Sequence, residues 1–352
     1  MSGMSDWLDV FFPAYRACYV VAEIGGNHMG SEETAREMVW AALAAGADAV
    51  KFQMRDIGSL YTREFADAPY DGGMSFGATY GKHREALEID LGGLRDFVRK
   101  CSDKKFIVTP FDLVSLERAE ALEPDAYKIS SGDLTNTELI SAVAAKGRPL
   151  FISTGGGTME DVDRAVGATF EDRTVLYHCV SAYPAYVEDM NLKAISAMVQ
   201  RYREKRIPIG LSDHTSGILM PIVAYMLGAR VIEKHFTLDR SWKGRDQSFS
   251  IEPQDLFQLV GDLREASRAL GIGKKQPKAS EREALYKIRK SLVASYDLPK
   301  GHVLRPEDMV AKSPGGGLEP YRKQELVGAC LTAPLRRDAL ISYDVVAGET
   351  LT

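Results

Sequence analysis

The stretch VIEKHFTLD (231–239) puts Glu233, Lys234 and His235 at the end of an apolar run. Such groups are costly to bury unpaired. A strand running out into solvent would explain them, and so would a catalytic rim. The same feature recurs in other apolar runs, with polar residues two apart. Glu23 ends one run, and Asn27 follows it. Further runs carry Lys51 and Gln53, then Thr109, then Lys128 and Ser130 with Ser131 just past the end. Ser153 follows, then Ser181 and Tyr183, Ser212 and His214, and finally Glu233 and His235. Strand side chains alternate faces with period two, so residues of one parity share a face. Fraying would not repeat one polar face in every unit, so the rim is the preferred reading.

The residue types point to particular chemistry. His214 and His235 come from successive runs and can reach one point. Two imidazoles plus oxygen donors suit a divalent cation such as Mn2+ or Mg2+, with positions open to water or substrate. The alternative is one general acid and one structural histidine. Lys51 and Lys128, with the hydroxyls of Thr109, Ser130, Ser153 and Ser212, suit a small anion carrying phosphate or carboxylate. The alternative is a pair of salt-bridged core lysines. Glu23 is a carboxylate for proton transfer or water activation, or else the ion-pair partner of Lys51. His28, His83 and His302 are assigned to loops, and His178 to packing against a helix. Cys179 shares the parity of Ser181, but no base is evident beside it, so it reads as filler. Asp213 and Lys234 have the opposite parity, which assigns them to the outer face or to contacts that support the rim residues.

Elements must hold these residues together. Short β-rich runs occur at 19–25, 49–53, 106–111, 126–131, 149–155, 174–184, 208–215 and 231–236. The first gap reads as an amphipathic helix. Ser31 can cap it, and Glu32 and Glu33 suit its positive N-terminus. Ala35, Met38, Val39, Ala42 and Leu43 form its apolar stripe, and Gly46 stops it. Eight strand–helix units in roughly 250 residues match an α/β fold of the (β/α)8 TIM-barrel type, whose sites lie at the C-terminal strand ends. A doubly wound sheet is the alternative, and the missing GxGxxG after the first strand counts against its nucleotide-binding version. The barrel is placed at 1–272, a charged linker at 273–290, and a small β-rich module at 291–352, with an irregular loop at SPGGGLEP.

The chain has 352 residues, enough for two domains, and a formal charge of -5 with no basic run, which argues against nucleic acid. Residues 1–15 lack the pattern of a signal peptide, and no apolar run is long enough to span a bilayer. The four cysteines, Cys18, Cys101, Cys179 and Cys330, are scattered without a CxxC, so a reduced, cytoplasmic protein is expected.

In order along the chain stand AEIGGNHMGS, ADAVKFQ, TPFD, AYKISSGDLTN, STGG, HCVSAYPAYVEDMNL, GLSDHTSG and VIEKHFTLD. This series resembles the bacterial sialic acid (N-acetylneuraminate) synthase family, which includes legionaminic and pseudaminic acid synthases. The C-terminal module resembles that family's antifreeze-like SAF domain. The resemblance covers about residues 18–350. It implies condensation of phosphoenolpyruvate with an open-chain N-acylated mannosamine-type sugar, giving a nine-carbon 2-keto acid and phosphate. It implies a divalent metal, Mn2+ or a similar ion, on His214 and His235, polarising the aldehyde. Lys51, Thr109, Lys128, Ser153, Ser181 and Ser212 would hold phosphoenolpyruvate. Of the KISSG serines, Ser131 fits the family pattern better than Ser130. Glu23 would position or activate water, and Gln53, Tyr183 and Asp246 would meet the sugar hydroxyls. A homodimer is implied, in which the SAF module of one chain covers the barrel mouth of the other.

Two positions depart from the family pattern. Ser313 stands where an arginine is common in the SAF loop, and Lys312 could substitute without the planar fork. Gln247 stands where a histidine often follows the aspartate. Both are assigned to the sugar side. The rivals are a 3-deoxy-sugar-acid synthase using a phosphorylated aldose, a Schiff-base aldolase on Lys51 or Lys128, and a non-catalytic carbohydrate-binding protein. The segment 61–88 is expected to shape the acceptor pocket.

Overall fold

The computed structural model describes residues 18–347; the reading of residues 1–15 falls outside them. Eight parallel strands close into one barrel in sequence order. They are β1 (Tyr19–Glu23), β2 (Ala49–Met54), β3 (Lys105–Pro110), β4 (Ala126–Ile129), β5 (Leu150–Ser153), β6 (Thr174–Cys179), β7 (Ile209–Asp213) and β8 (Val231–His235). Helices alternate with them. The first, α1 (Glu32–Ala44), is capped by Ser31, whose side chain accepts from the Thr34 N–H. Ala35, Met38, Val39 and Ala42 are its buried face. Gly46 follows with φ +97°, a left-handed stop that suits a residue without a Cβ.

Parity sorts the strand residues into two cores. Tyr19, Val21, Ala49, Ile107, Ala126, Phe151, Val175, Tyr177 and Val231 fill the barrel interior. The alternate residues, among them Val20, Val50, Phe52, Val108, Ile152 and Ile232, pack under the helices. Full burial of such side chains contributes about 1.5–3 kcal/mol each. Above the inner apolar layer, the next inward residues are the polar ones. The register sets Glu23 opposite both Lys51 and His235. It sets Ser212 opposite Glu233.

Strand six is shorter than expected. It ends at Cys179, so Ser181 and Tyr183 lie in the following loop and their parity carries no meaning. The Val180 carbonyl leaves the ladder to meet the His214 ring. His83 is not in a loop but in the helix Tyr80–Glu85, and it is buried there. That helix belongs to the segment after β2, built around the tilted and edge-to-face rings of Tyr61, Phe65, Tyr70 and Tyr80.

The chain divides into two compact units, one ending at Gly271 and the other beginning at Ile272. The stretch expected as a linker groups with the second unit and contains a helix, Arg282–Ile288. In that unit β9 (Ser291–Ala294) and β10 (Met309–Lys312) pair antiparallel, as do β11 (Cys330–Leu331) and β12 (Val346–Ala347). Leu292, Leu298, Leu304, Met309, Leu326 and Ile341 form a separate core. Among the described residues, no helix is long and apolar enough to cross a membrane.

Candidate active site

The inner polar layer is a charge lattice. Lys51 Nζ lies 2.8 Å from Glu23 Oε2 and 3.6 Å from Glu233 Oε1. Lys128 Nζ sits 2.9 and 3.0 Å from the two Glu233 oxygens. All four residues are at least 95 % buried. Burial opposes the charge on Lys51, but Glu23 and Glu233 outweigh it and hold its pKa above the usual value. Burial depresses Lys128, and the Glu233 carboxylate only partly restores it. Glu233 falls to about 2, because Lys128 and Lys51 outweigh its own burial. Two lysines thus face two carboxylates at the bottom of a polar cup.

Hydroxyls complete the cup. Lys51 donates to Thr109 Oγ1 at 3.2 Å, and Ser212 Oγ donates to Glu233 at 3.1 Å. Ser153 Oγ is buried without a hydrogen-bond partner. Ser131 Oγ accepts the Gly155 N–H at 3.1 Å. A Cβ at Gly155 would fall 2.2 Å from Ser181 Oγ and 2.7 Å from Ser131 Oγ. The bare glycine therefore leaves both hydroxyls in place around a backbone N–H. Ser130 instead donates to Asp133 at 2.7 Å, which separates the two serines that spacing left together. The Tyr177 ring forms a floor 4.6 Å from Lys128 Nζ.

The histidines stand at the rim, ring centroids 5.4 Å apart. His214 Nδ1 meets the Val180 carbonyl at 2.8 Å, so Nδ1 carries the proton and Nε2 keeps a lone pair. His235 Nδ1 is buried without a hydrogen-bond partner, 4.0 Å from Asp246 Oδ2. Burial, helped by His214 and Lys51, outweighs Asp246 and Glu23 and holds this ring below the usual imidazole pKa. An orphaned imidazole beside a second free lone pair fits a cation. No group of three His, Cys, Asp or Glu among the described residues forms a closed metal set. An ion held by the two rings would complete its shell with water or substrate oxygens, as an open site requires.

Several expected site residues have other work. Asn27 donates to the Phe236 carbonyl and to Ser250 Oγ, both at 2.9 Å, and so ties two loops together. Gln247 donates to the Asn27 carbonyl at 2.9 Å and accepts from Thr237 Oγ1 at 2.5 Å. It is 1 % exposed, so it is a buried strut rather than a residue on the sugar side. Lys312 pairs with Asp338 within the second unit. Ser313 Oγ receives Lys290 Nζ at 2.8 Å. Tyr183 stays exposed, its ring 4.2 Å from that of His214. Gln53 donates to Glu23 Oε1 at 2.5 Å.

Spacing missed two participants. Glu233 was visible at the rim but had no stated role; it neutralises both lysines. Cys179 is not filler. Its thiol lies 3.9 Å from His214 Nδ1 and 3.5 Å from Ser131 Oγ. Its parity was the available signal, and its neighbour His214 lies just past the end of the adjacent strand. Asp213 and Lys234 form an ion pair at 2.8 Å on the outer face, both fully buried, and brace the strand ends that carry the histidines. His178 Nε2 donates to the Met190 carbonyl, 2.7 Å away, outside the barrel.

Comparison with known proteins gives the family. The NeuB family profile matches residues 38–275, and a SAF domain follows at 289–347. The chain belongs to the NeuB family. NeuB relatives cover nearly its whole length. It is 36 % identical over 337 residues to the N,N'-diacetyllegionaminic acid synthase of Legionella pneumophila, covering 93 % of this chain and 94 % of that one. It is 34 % identical over 334 residues to the human N-acetylneuraminate-9-phosphate synthase, covering 94 % and 92 %. The crystal structure of the sialic acid synthetase of Leptospira borgpetersenii, in complex with citrate, superposes with a TM-score of 0.66 at 32 % identity, over 76 % of this chain and 90 % of that one. As a NeuB member with a SAF domain, the protein is an enzyme of the sialic acid synthase type.

Proposed function

We propose that the enzyme condenses phosphoenolpyruvate with an N-acylated mannosamine-type sugar, releasing phosphate and a nonulosonic 2-keto acid. The observation that carries this is the buried Lys51–Lys128 pair, ringed by hydroxyls, directly beneath two histidines with free ring nitrogens. Phosphoenolpyruvate brings phosphate and carboxylate, which suit two lysines and the hydroxyls of Thr109, Ser131, Ser153, Ser181 and Ser212. The anion would compete with Glu23 and Glu233 for the ammonium groups and loosen the resting lattice. A divalent ion on His214 and His235, Mn2+ or Mg2+, would polarise the sugar aldehyde.

The new bond joins C3 of phosphoenolpyruvate to the aldehyde carbon. The aldehyde oxygen takes up a proton to become a hydroxyl, positive charge develops at C2, water adds there, and the C2–O bond to phosphate breaks as the 2-keto group forms. Glu23 would orient that water and take its proton. Gln53, Tyr183 and Asp246 would face the sugar. A cup that already holds its charges in place meets the developing charges without reorganising, which is electrostatic catalysis.

The relatives' names differ in whether the product is phosphorylated, so the acceptor must be found by assay. The test is phosphate release from phosphoenolpyruvate with Mn2+ across neutral N-acyl hexosamines, their 6-phosphates, and aldose phosphates. Release with an N-acyl sugar supports the reading and names the branch. Release only with aldose phosphates moves the enzyme to 3-deoxy-sugar-acid chemistry. Activity without divalent ions, together with borohydride trapping, would replace the mechanism by a Schiff base.

A further inference from the structure

We propose that Arg55 and Glu88 form a positioning pair that fixes the Gln53 amide and, through it, the Glu23 carboxylate. Every link is a direct contact. Glu88 Oε2 accepts the Arg55 backbone N–H at 2.9 Å, and its Oε1 accepts Arg55 Nη1 at 3.2 Å. The guanidinium lies 4.0 Å from the Phe111 ring centroid, and the Arg55 side chain is 8 % exposed. Its Nη2 donates to Gln53 Oε1. The Gln53 Nε2 then donates to Glu23 Oε1.

Donor and acceptor types give this chain a direction. A guanidinium only donates and a carboxylate only accepts. An amide between them has one allowed orientation, with its oxygen toward Arg55 and its NH2 toward Glu23. Without Arg55 the amide is free to flip, and its oxygen would then face the Glu23 oxygen. Glu23 would lose one of its two anchors and keep only Lys51. Arg55 is itself held by Glu88, which closes the segment 61–88 after β2. That segment therefore has a task besides shaping a pocket: its last residue holds the arginine that aims the carboxylate. Only the kinetic part of the test rests on the function proposed above.

The test uses the full chain labelled with 15N at glutamine side chains. The Gln53 NH2 pair is assigned by its loss in Gln53→Met. In the wild type it should be displaced from the solvent-exposed position and exchange slowly with water. In Arg55→Met, which keeps the apolar stem on Phe111, it should move to the exposed position and exchange fast. Arg55→Lys should restore part of the shift, and Glu88→Gln should lose part of it. An unmoved pair in a folded Arg55→Met protein would overturn the proposal. Kinetically, Arg55→Met should lower kcat about 10–100-fold, the usual cost of losing an orienting partner, with the phosphoenolpyruvate KM unchanged. The double variant with Gln53→Met should be no worse than Gln53→Met alone. Additive losses, or a loss confined to KM, would also overturn it. A wild type that releases no phosphate with any acceptor would refute the proposed function, and the NMR result would still decide the positioning role.

Discussion

At the scale of single residues, the site is governed by what happens when one partner of a buried charge pair is removed. Lys128→Met would leave Glu233 with the Ser212 hydroxyl and, as its remaining ion pair, the longer contact to Lys51. Breaking a buried pair costs about 3–5 kcal/mol, because an uncompensated charge stays behind. The double variant Lys128→Met with Glu233→Leu should recover most of that stability and none of the turnover. Denaturant titration and phosphate release separate the two, and recovered activity would show Lys128 to be structural. His235→Ala should abolish metal-dependent turnover and leave the unfolding midpoint little changed.

Acid sensitivity follows from two further groups. Burial lowers His28 to about 4 from an ordinary 6.5. The folded state refuses a proton that the unfolded chain accepts, so stability present above pH 6.5 is lost as the pH falls toward 4. Glu233, lowered to about 2 from 4.5, adds a second loss between pH 4.5 and 2. Each group contributes a slope of up to about 1.4 kcal/mol per pH unit in its window. A thermal midpoint that stays flat from pH 7 to 4 would refute the assignment for His28.

At the scale of elements, two glycines separate stability from binding. A Cβ at Gly210 on β7 would lie 2.5 Å from the Val231 carbonyl oxygen and 2.7 Å from Tyr177 Cδ1. The oxygen belongs to the adjacent strand and cannot yield. Gly210→Ala should therefore destabilise the barrel by about 1–3 kcal/mol, the usual cost of overpacking, and push the Tyr177 floor toward Lys128. Gly155 lies in the loop after β5, and its Cβ would meet the side chains of Ser181 and Ser131. Gly155→Ala should raise the phosphoenolpyruvate KM with little change in the unfolding midpoint. The opposite pattern would mean that the Gly155 loop serves the fold and not the anion.

At the scale of the whole molecule, each of the two units has an apolar core of its own. Residues 1–271 should therefore unfold cooperatively on their own and still bind phosphoenolpyruvate. If the SAF module closes over the site of a partner chain, this fragment should lose turnover or show a raised acceptor KM. Unchanged kinetics would remove that role from the module.

The sequence by itself determined the eight strands, the inward parity of the polar residues and the change of pattern near residue 290. Those follow from local periodicity, which each segment carries alone. It also brought Lys51, Lys128, His214 and His235 to one rim, because closing a parallel barrel sends every strand end to the same side. Only the tertiary structure decided which of them touch. Glu233 as common partner of two lysines, His214 as neighbour of Cys179, and Asn27 and Gln247 as struts all depend on contacts between segments far apart in the chain. Ser130 and Ser131 differ by a turn that no period-two pattern could foresee. Periodicity assigns a side chain to a face, whereas its partner is set by register between strands and by loops that fold back over the rim. Those are properties of the closed barrel and not of any one segment.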